Sequence, residues 1–504
     1  MVGVPRSKRC QRCKRIKTKC DEKWPTCTPC VRAKVPCSGP STLTKFIHNG
    51  HHAESKVNGA EVGVLTPNKP SGGLEKIRYQ SLPDGALFGH FRLSSGEPRR
   101  NLTSVADRVA ARLVGYLGNE DAAWDMLVST GYTKHLPVRL GESAALRDCV
   151  ALMCSAWANY RRNMPVTDVV DPTLYGKALR SLQRAIDDPR QQLSCETLAA
   201  ATILERLEVL FDTGRPYYWT RHTYGIENLM IKRGPPKPED HLDVQLALEN
   251  HAALLSHWIV NGRQNFFLTS PWKEAMWQIQ PRLRDSVSSE RMNGYSIGYY
   301  FGFWPSLVHE IQHIASDPDI NSQQTQATEL RNRVANLEEE VKSIGDPITQ
   351  DALDMNRITE QPDSESPIGK KFRFESLELM SFFLSYTMIR TVFNRILLHL
   401  TAILGDLNTR LEMEHRDFCR QTWMCIPFIR DLGMIACTFF VLPLYLSYEG
   451  ASEIERDYLL DFVIWVGKYR GRLPGDRKEV ELLVLKTARA TTGRTQFDRT
   501  TNPS

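Results

Sequence analysis

The 504-residue chain lacks any uninterrupted apolar run that could cross a bilayer. A spanning helix needs about 20 apolar residues. The best stretch, residues 382–407, is broken by Arg390, Asn394, Arg395 and His399, and residues 434–448 are too few. The first residues also lack the apolar segment of a secretory signal. Export and a membrane partner are therefore not expected, and the chain is expected to meet a reducing compartment. Nucleotide and metalloprotease fingerprints are missing: there is no P-loop, no dinucleotide-binding glycine fingerprint and no HExxH helix. One enzyme-like string occurs, Gly-Tyr-Ser-Ile-Gly at 294–298, which matches the GxSxG of hydrolase elbows. The residues before it are polar rather than strand-like, and the alternating strand–helix pattern of that fold is absent. Ser296 as a nucleophile is thus a remote alternative, and no catalytic residue is assigned.

Acidic residues are scarce in one place only. Residues 1–37 hold 11 basic side chains against Asp21 and Glu22. The rest of the chain has 53 basic and 56 acidic residues, so the net charge of +6 comes from this short head. A basic head on a mildly acidic body points to nucleic acid or another anionic surface as the partner of the head.

The same head holds half of the 12 cysteines: Cys10, Cys13, Cys20, Cys27, Cys30 and Cys37. Their spacing is C-x2-C-x6-C twice over. In a reducing compartment, clustered thiols bind metal more often than they pair. Zinc wants four ligands in a tetrahedron. Two zinc ions need eight bonds, and six thiolates supply them only if two are shared. The duplication selects the same position in each half, so Cys10 and Cys27 are the expected bridges. A zinc ribbon would leave Cys20 and Cys37 unexplained, and a metal sponge would not need ordered basic residues. The head has few apolar side chains, so metal is expected to supply its folding energy, on the order of 10–16 kcal/mol per structural zinc. The other cysteines, Cys149, Cys154, Cys195, Cys419, Cys425 and Cys437, stand singly in apolar surroundings and read as small buried hydrophobes.

The head resembles the fungal Zn2Cys6 binuclear cluster DNA-binding domain, whose cysteine intervals it matches throughout. Asp21 after the third cysteine and Pro25 in the central loop are also typical. One departure is Ile16 in "CKRIKTKC", where the family commonly has a cation. The resemblance implies a cofactor of two Zn2+ and double-stranded DNA with CGG-like half-sites as partner. It implies that Lys17 reads guanines in the major groove, where a cation donates to O6 and N7. Lys14, Arg15, Lys19, Arg12, Arg9 and Lys8 would then hold phosphates. It also implies a nuclear location.

Residues 41–103 are rich in Gly, Pro, Ser and Asn and read as a flexible linker. His48, His51 and His52 there read as scattered linker histidines rather than metal ligands. No heptad coiled coil follows the cluster. A later run, Ala327, Leu330, Val334, Leu337, Val341 and Ile344, has heptad-like spacing but lasts under three heptads and reads as a core helix. From 104 onward the patterns are helical. Asp171-Pro172 is a helix start, with Leu174, Ala178, Leu182 and Ala185 on one face. Leu198, Ile203, Leu204, Leu207 and Phe211 mark another helix, and Tyr458, Phe462 and Trp465 a third. Residues 345–369 break the pattern and read as a surface loop or an acidic activation segment.

This body resembles the α-helical fungal-specific regulatory domain found behind many binuclear clusters. Trp219, His222, Gly225 and Arg233 fit its WxxHxxG…RGP pattern and are expected to pack. The expected architecture is a small zinc-dependent cluster domain of two short helix-loop halves at 1–40 and a flexible linker at 41–103. A large all-α regulatory domain follows at 104–490, with a disordered tail at 491–504. The expected function is zinc-dependent, sequence-specific regulation of RNA polymerase II transcription. DNA binding as a monomer and as a dimer through the body both stay open, and contacts with the transcription machinery are a further expectation. Relatives often govern pathway genes, including secondary-metabolite clusters. The alternative is a zinc-containing adaptor that binds protein without DNA specificity.

Overall fold

The structure, a computed structural model, describes residues 9–23, 25–39, 104–118, 131–211, 219–284, 288–406, 408–470 and 475–495. The expected linker, with its histidines, and Lys8 lie outside these residues. Contacts divide the chain into two units, Met1–Thr103 and Ser104–Ser504.

In the first unit two five-residue helices, α1 (Gln11–Arg15) and α2 (Thr28–Arg32), carry the two cysteine pairs. The body is helical. Ser104 opens α3 (Val105–Leu117) with a capping box: its hydroxyl accepts from the Asp107 N–H at 3.0 Å. Asp171 caps α5 (Pro172–Asp187), accepting from the N–H groups of Thr173 and Leu174. This helix and α6 (Cys195–Phe211) pack on α4 (Ala144–Tyr160). Nearly every residue of α6 is buried, so its amphipathic signal is weak although its packing is dense.

The second half of the body is built around α13 (Leu377–Ile403), which packs against α10 (Ser289–Phe301), α12 (Ile320–Asp354) and α14 (Thr409–Met424). The polar residues that interrupt its apolar run are what tie it to α14. Asn394 is fully buried and donates to the Leu411 carbonyl at 3.0 Å, while buried Arg395 pairs with Glu412 at 3.3 Å. Arg390 lies over the Phe418 ring at 4.5 Å. Among the described residues no helix is long and apolar enough to cross a membrane.

The heptad-like residues sit on α12, where Ala327, Leu330, Val334, Leu337 and Val341 are buried in this core. Residues 345–354 depart from expectation, because α12 continues through Pro347 to Asp354. Gly345 lies against α13 so closely that a Cβ there would stand 2.2 Å from Tyr386 Cε2. Tight packing at Gly345 keeps the helix going where Gly-Asp-Pro reads as a break. The chain then forms the one sheet among the described residues, an antiparallel hairpin of β1 (Ile358–Pro362) and β2 (Lys370–Phe374), with Ile358 opposite Phe374. Phe374 packs on Phe383 and Phe428, with ring centroids 5.5 and 5.2 Å apart. Residues 345–369 are thus helix end and hairpin, not a plain surface loop.

Three smaller expectations also change. On α17 (Glu453–Arg470) Phe462 is buried but Trp465 is 42% exposed; the buried face is Leu459, Leu460, Phe462, Val463 and Val466. At the C-terminal end α18 (Arg477–Thr491) hands on to packed residues. Trp304 donates to the Thr491 carbonyl at 2.6 Å and Gln312 to that of Thr495 at 2.9 Å, so packing runs past residue 490. Residues 496–504 lie outside those described. On α7 (Trp219–Arg233) His222 meets Glu208 at 2.5 Å and Arg233 pairs with Asp243 at 2.8 Å, so both are tied down by carboxylates. Gly225 is exposed, with open space around a Cβ built there.

Candidate metal centre and nucleic-acid interface

All six head cysteines are buried, though among the described residues only half-buried Val35 packs against them as an apolar neighbour. Their sulfurs fall into two groups of four, each group within 4.8 Å. One is Cys10, Cys13, Cys20 and Cys27; the other is Cys10, Cys27, Cys30 and Cys37. Cys10 and Cys27 belong to both. The Sγ–Sγ distances are 3.6 Å for Cys10–Cys27, 3.8 Å for Cys10–Cys30, and 3.7 Å for both Cys13–Cys27 and Cys37–Cys27. A zinc tetrahedron with Zn–S bonds of about 2.3 Å has S–S edges of about 3.8 Å. The thiols are thus spaced to hold two zinc ions.

The halves are related in backbone detail as well as in sequence. Each helix ends in a Schellman turn. After α1 the Thr18 N–H donates to the Cys13 carbonyl at 3.0 Å; after α2 the Val35 N–H donates to that of Cys30 at 3.2 Å. The residue between helix and return is a lysine in left-handed conformation each time, Lys17 at φ 52° and Lys34 at φ 51°. The N-termini are matched too. Asp21, just after the third cysteine, accepts from the Thr28 N–H at 3.1 Å and so caps α2. Ser38, just after the sixth, accepts from the Gln11 N–H at 2.8 Å at the start of α1. Each half therefore caps the helix of the other. Ser38 was not singled out in the sequence; its register with Asp21 in the repeat is the signal that could have found it.

Charge on the thiols follows their surroundings. Burial pushes Cys10 up to about 12 and Cys27 higher still. At Cys30 burial is outweighed by contact with the Cys27 thiol and by the Arg12 guanidinium, which bring it down to about 7. Arg12 Nη1 reaches Cys30 Sγ at 3.8 Å.

Residues 133–407 match the fungal specific transcription factor domain, and residues 8–45 match the fungal Zn(2)-Cys(6) binuclear cluster domain. The chain belongs to the fungal Zn(2)-Cys(6) transcription factors. A domain of this kind binds two zinc ions, which accords with the two thiol groups. Neither matched family is an enzyme family. An uncharacterized protein of Emericella nidulans is similar at 24% identity over 261 residues, covering 49% of this chain and 53% of that protein. The chain thus spans about half the length of the curated relative it matches. No solved structure matches.

In this zinc-cluster protein the expected DNA-facing residues separate. Lys14, Arg15, Lys17 and Lys19 are exposed together on and just after α1, and Arg9 is exposed before it. Arg12 is half-buried and faces the cluster sulfur. Ile16 caps the C-terminal end of α1 and is exposed, leaving an apolar gap among the cations. Ser296 lies mid-helix on α10, its hydroxyl donating to the Met292 carbonyl at 3.1 Å. It stands on no strand-to-helix elbow, which removes the geometric basis of the hydrolase alternative. Among the described residues the body cysteines belong to no potential metal group, and all six are buried.

Proposed function

We propose that this chain is a nuclear, sequence-specific regulator of RNA polymerase II transcription whose zinc-folded head reads CGG-like triplets. Cys13 and Cys20 complete one zinc site and Cys30 and Cys37 the other, with Cys10 and Cys27 bridging both. Lys17 is the base reader. Its left-handed backbone turns the chain at the end of α1 and sets it apart from the neighbouring cations. Lys14, Arg15 and Lys19 hold phosphates, joined by Arg9 and Lys8. Arg12 serves chiefly to neutralise the thiolate charge at Cys30. Pairing of two copies through the body, contacts with the transcription machinery and control of a pathway or secondary-metabolite gene cluster complete the reading.

The observation that carries it is the pair of four-thiol groups sharing Cys10 and Cys27 directly behind a helix end bearing four exposed cations. Selection of bound sequences from random duplex DNA by the full chain, with and without a chelator, tests it. Enrichment of CGG triplets that disappears on chelation is expected. Paired triplets at fixed spacing would point to dimers and a single triplet to a monomer. Binding without any enriched sequence would favour the adaptor.

A further inference from the structure

A cavity of about 1260 Å³ lies within the body. That is larger than the roughly 300–1,000 Å³ typical of small-molecule sites. Phe267, Trp304, Phe382, Phe439 and Leu442 give it mostly apolar walls.

Two glycines of the GxSxG string face this space. Gly294 and Gly298 are one turn apart on α10 and both line the cavity. A Cβ built at either would meet nothing within 4 Å. Gly345 contrasts with them, since packing forbids a side chain there. Glycine is the poorest helix former after proline. Close helix packing does not account for it at 294 and 298. What the missing side chains leave is room in the cavity.

The cavity also holds buried polar atoms without partners. Glu205 on α6 is 3% exposed, and its Oε2 accepts no hydrogen bond. The buried Tyr295 hydroxyl is likewise unmatched. Such atoms are costly unless something satisfies them. Arg206, next along α6, pairs with Glu249 and lies over the Phe439 ring at 5.3 Å, although its Nε has no hydrogen-bond partner, and Lys273 and Arg291 also line the cavity. An anionic ligand would add negative charge beside Glu205 and Glu249. A hydroxyl can donate to a carboxylate and accept from a phenol without that penalty.

We propose that this cavity binds a lipophilic small molecule carrying hydroxyl groups, with Glu205 accepting from a ligand hydroxyl and Tyr295 donating to a ligand oxygen. The site lies wholly in the body, so it stands or falls separately from DNA reading by the head.

The test titrates the zinc-loaded full chain with 1-pyrenemethanol and, in parallel, with 1-pyrenecarboxylate. Energy transfer from the tryptophans, Trp304 among the wall residues, reports binding. Saturable one-to-one transfer to the alcohol is expected, with the carboxylate at least tenfold weaker. Gly298→Leu fills the space and should weaken the alcohol at least tenfold while the helical circular dichroism is kept. Glu205→Gln should narrow the preference for alcohol over carboxylate. If Gly298→Leu fails to fold, Gly294→Ala combined with Gly298→Ala adds only methyl groups on a helix that favours them and should weaken binding about threefold. Absence of saturable transfer, equal affinity for the two probes, or unchanged affinity in the filled variant would each overturn the proposal.

Discussion

The head and the body each bury six cysteines, for opposite reasons. In the body Cys419, Cys425 and Cys437 sit in a core with Trp423, Phe440 and Phe462, and burial pushes their thiols up to about 12 or above. Those groups stay protonated and behave as small hydrophobes. Among the described residues of the head, Val35 is the one apolar side chain packed beside the cysteines, and the sulfurs cover one another. Thiols crowded to 3.6–3.8 Å with almost no apolar cover make a stable arrangement only around metal. Burial alone does not tell a ligand from a core residue. Spacing and surroundings do.

Zinc removal should break this comparison most strongly. Chelation should unfold the head, at on the order of 10–16 kcal/mol per zinc, and leave the body folded. Circular dichroism would then lose little helix while DNA binding is abolished. Equal melting of both units would mean that zinc supports the body too. Acid should separate them in the same sense, because bound thiolates must be deprotonated and protons compete with zinc. The body has a more acid-resistant anchor in Glu455. Burial raises its pKa, but Arg416 and Ser452 outweigh that and bring it down to about 2. Its contribution is present in full above the ordinary glutamate value of about 4.3. It is lost as the pH falls from there through about 2. On acidification zinc release should therefore precede body unfolding, and a colorimetric zinc indicator read beside circular dichroism would order the two.

Single substitutions sharpen the contrast. Cys27→Ala should abolish DNA binding, whereas Cys425→Ala should cost the body only about 1 kcal/mol of stability, within the usual range for point changes. DNA binding that survives Cys27→Ala would sink the bridging role. Lys17→Ala should cost roughly 1–3 kcal/mol in DNA affinity and flatten the base-preference profile. Lys14→Ala should weaken all sequences alike and lower the salt dependence. An unchanged profile in the Lys17 variant would assign reading to another residue. The smallest effects belong to the caps: Asp21→Ala and Ser38→Ala should each cost about 0.5–2 kcal/mol of head stability, similar in size because each half caps the other. Cadmium or zinc affinity of the two variants would measure it.

The two regions also differ in how far they could be read from sequence. Metal fixes ligand spacing along the chain, so the head's cysteines, repeat and charge were legible residue by residue. Ser38 and the turn of Arg12 toward Cys30 were not, because each depends on contact between the halves. In the body, periodicity gave the helical class and placed the Ala327–Val341 stripe in the core. It missed the stretch from Gly345 to Asp354, where contact with Tyr386 on a distant helix overrides a local break signal. It missed the hairpin for a related reason: β1 is five residues, too short for alternation to show, and its pairing with β2 is what makes it a strand. The cavity and its unmatched carboxyl have no sequence signature, since they arise from helices brought together across some 280 residues of chain.

The most direct measurement is the NMR spectrum of spin-active cadmium in the full chain, with cadmium replacing zinc. Shared thiolates at Cys10 and Cys27 require two cadmium resonances in the all-sulfur region, coupled to each other through the bridging sulfurs. One resonance, or two without mutual coupling, would contradict a two-metal cluster closed by those cysteines.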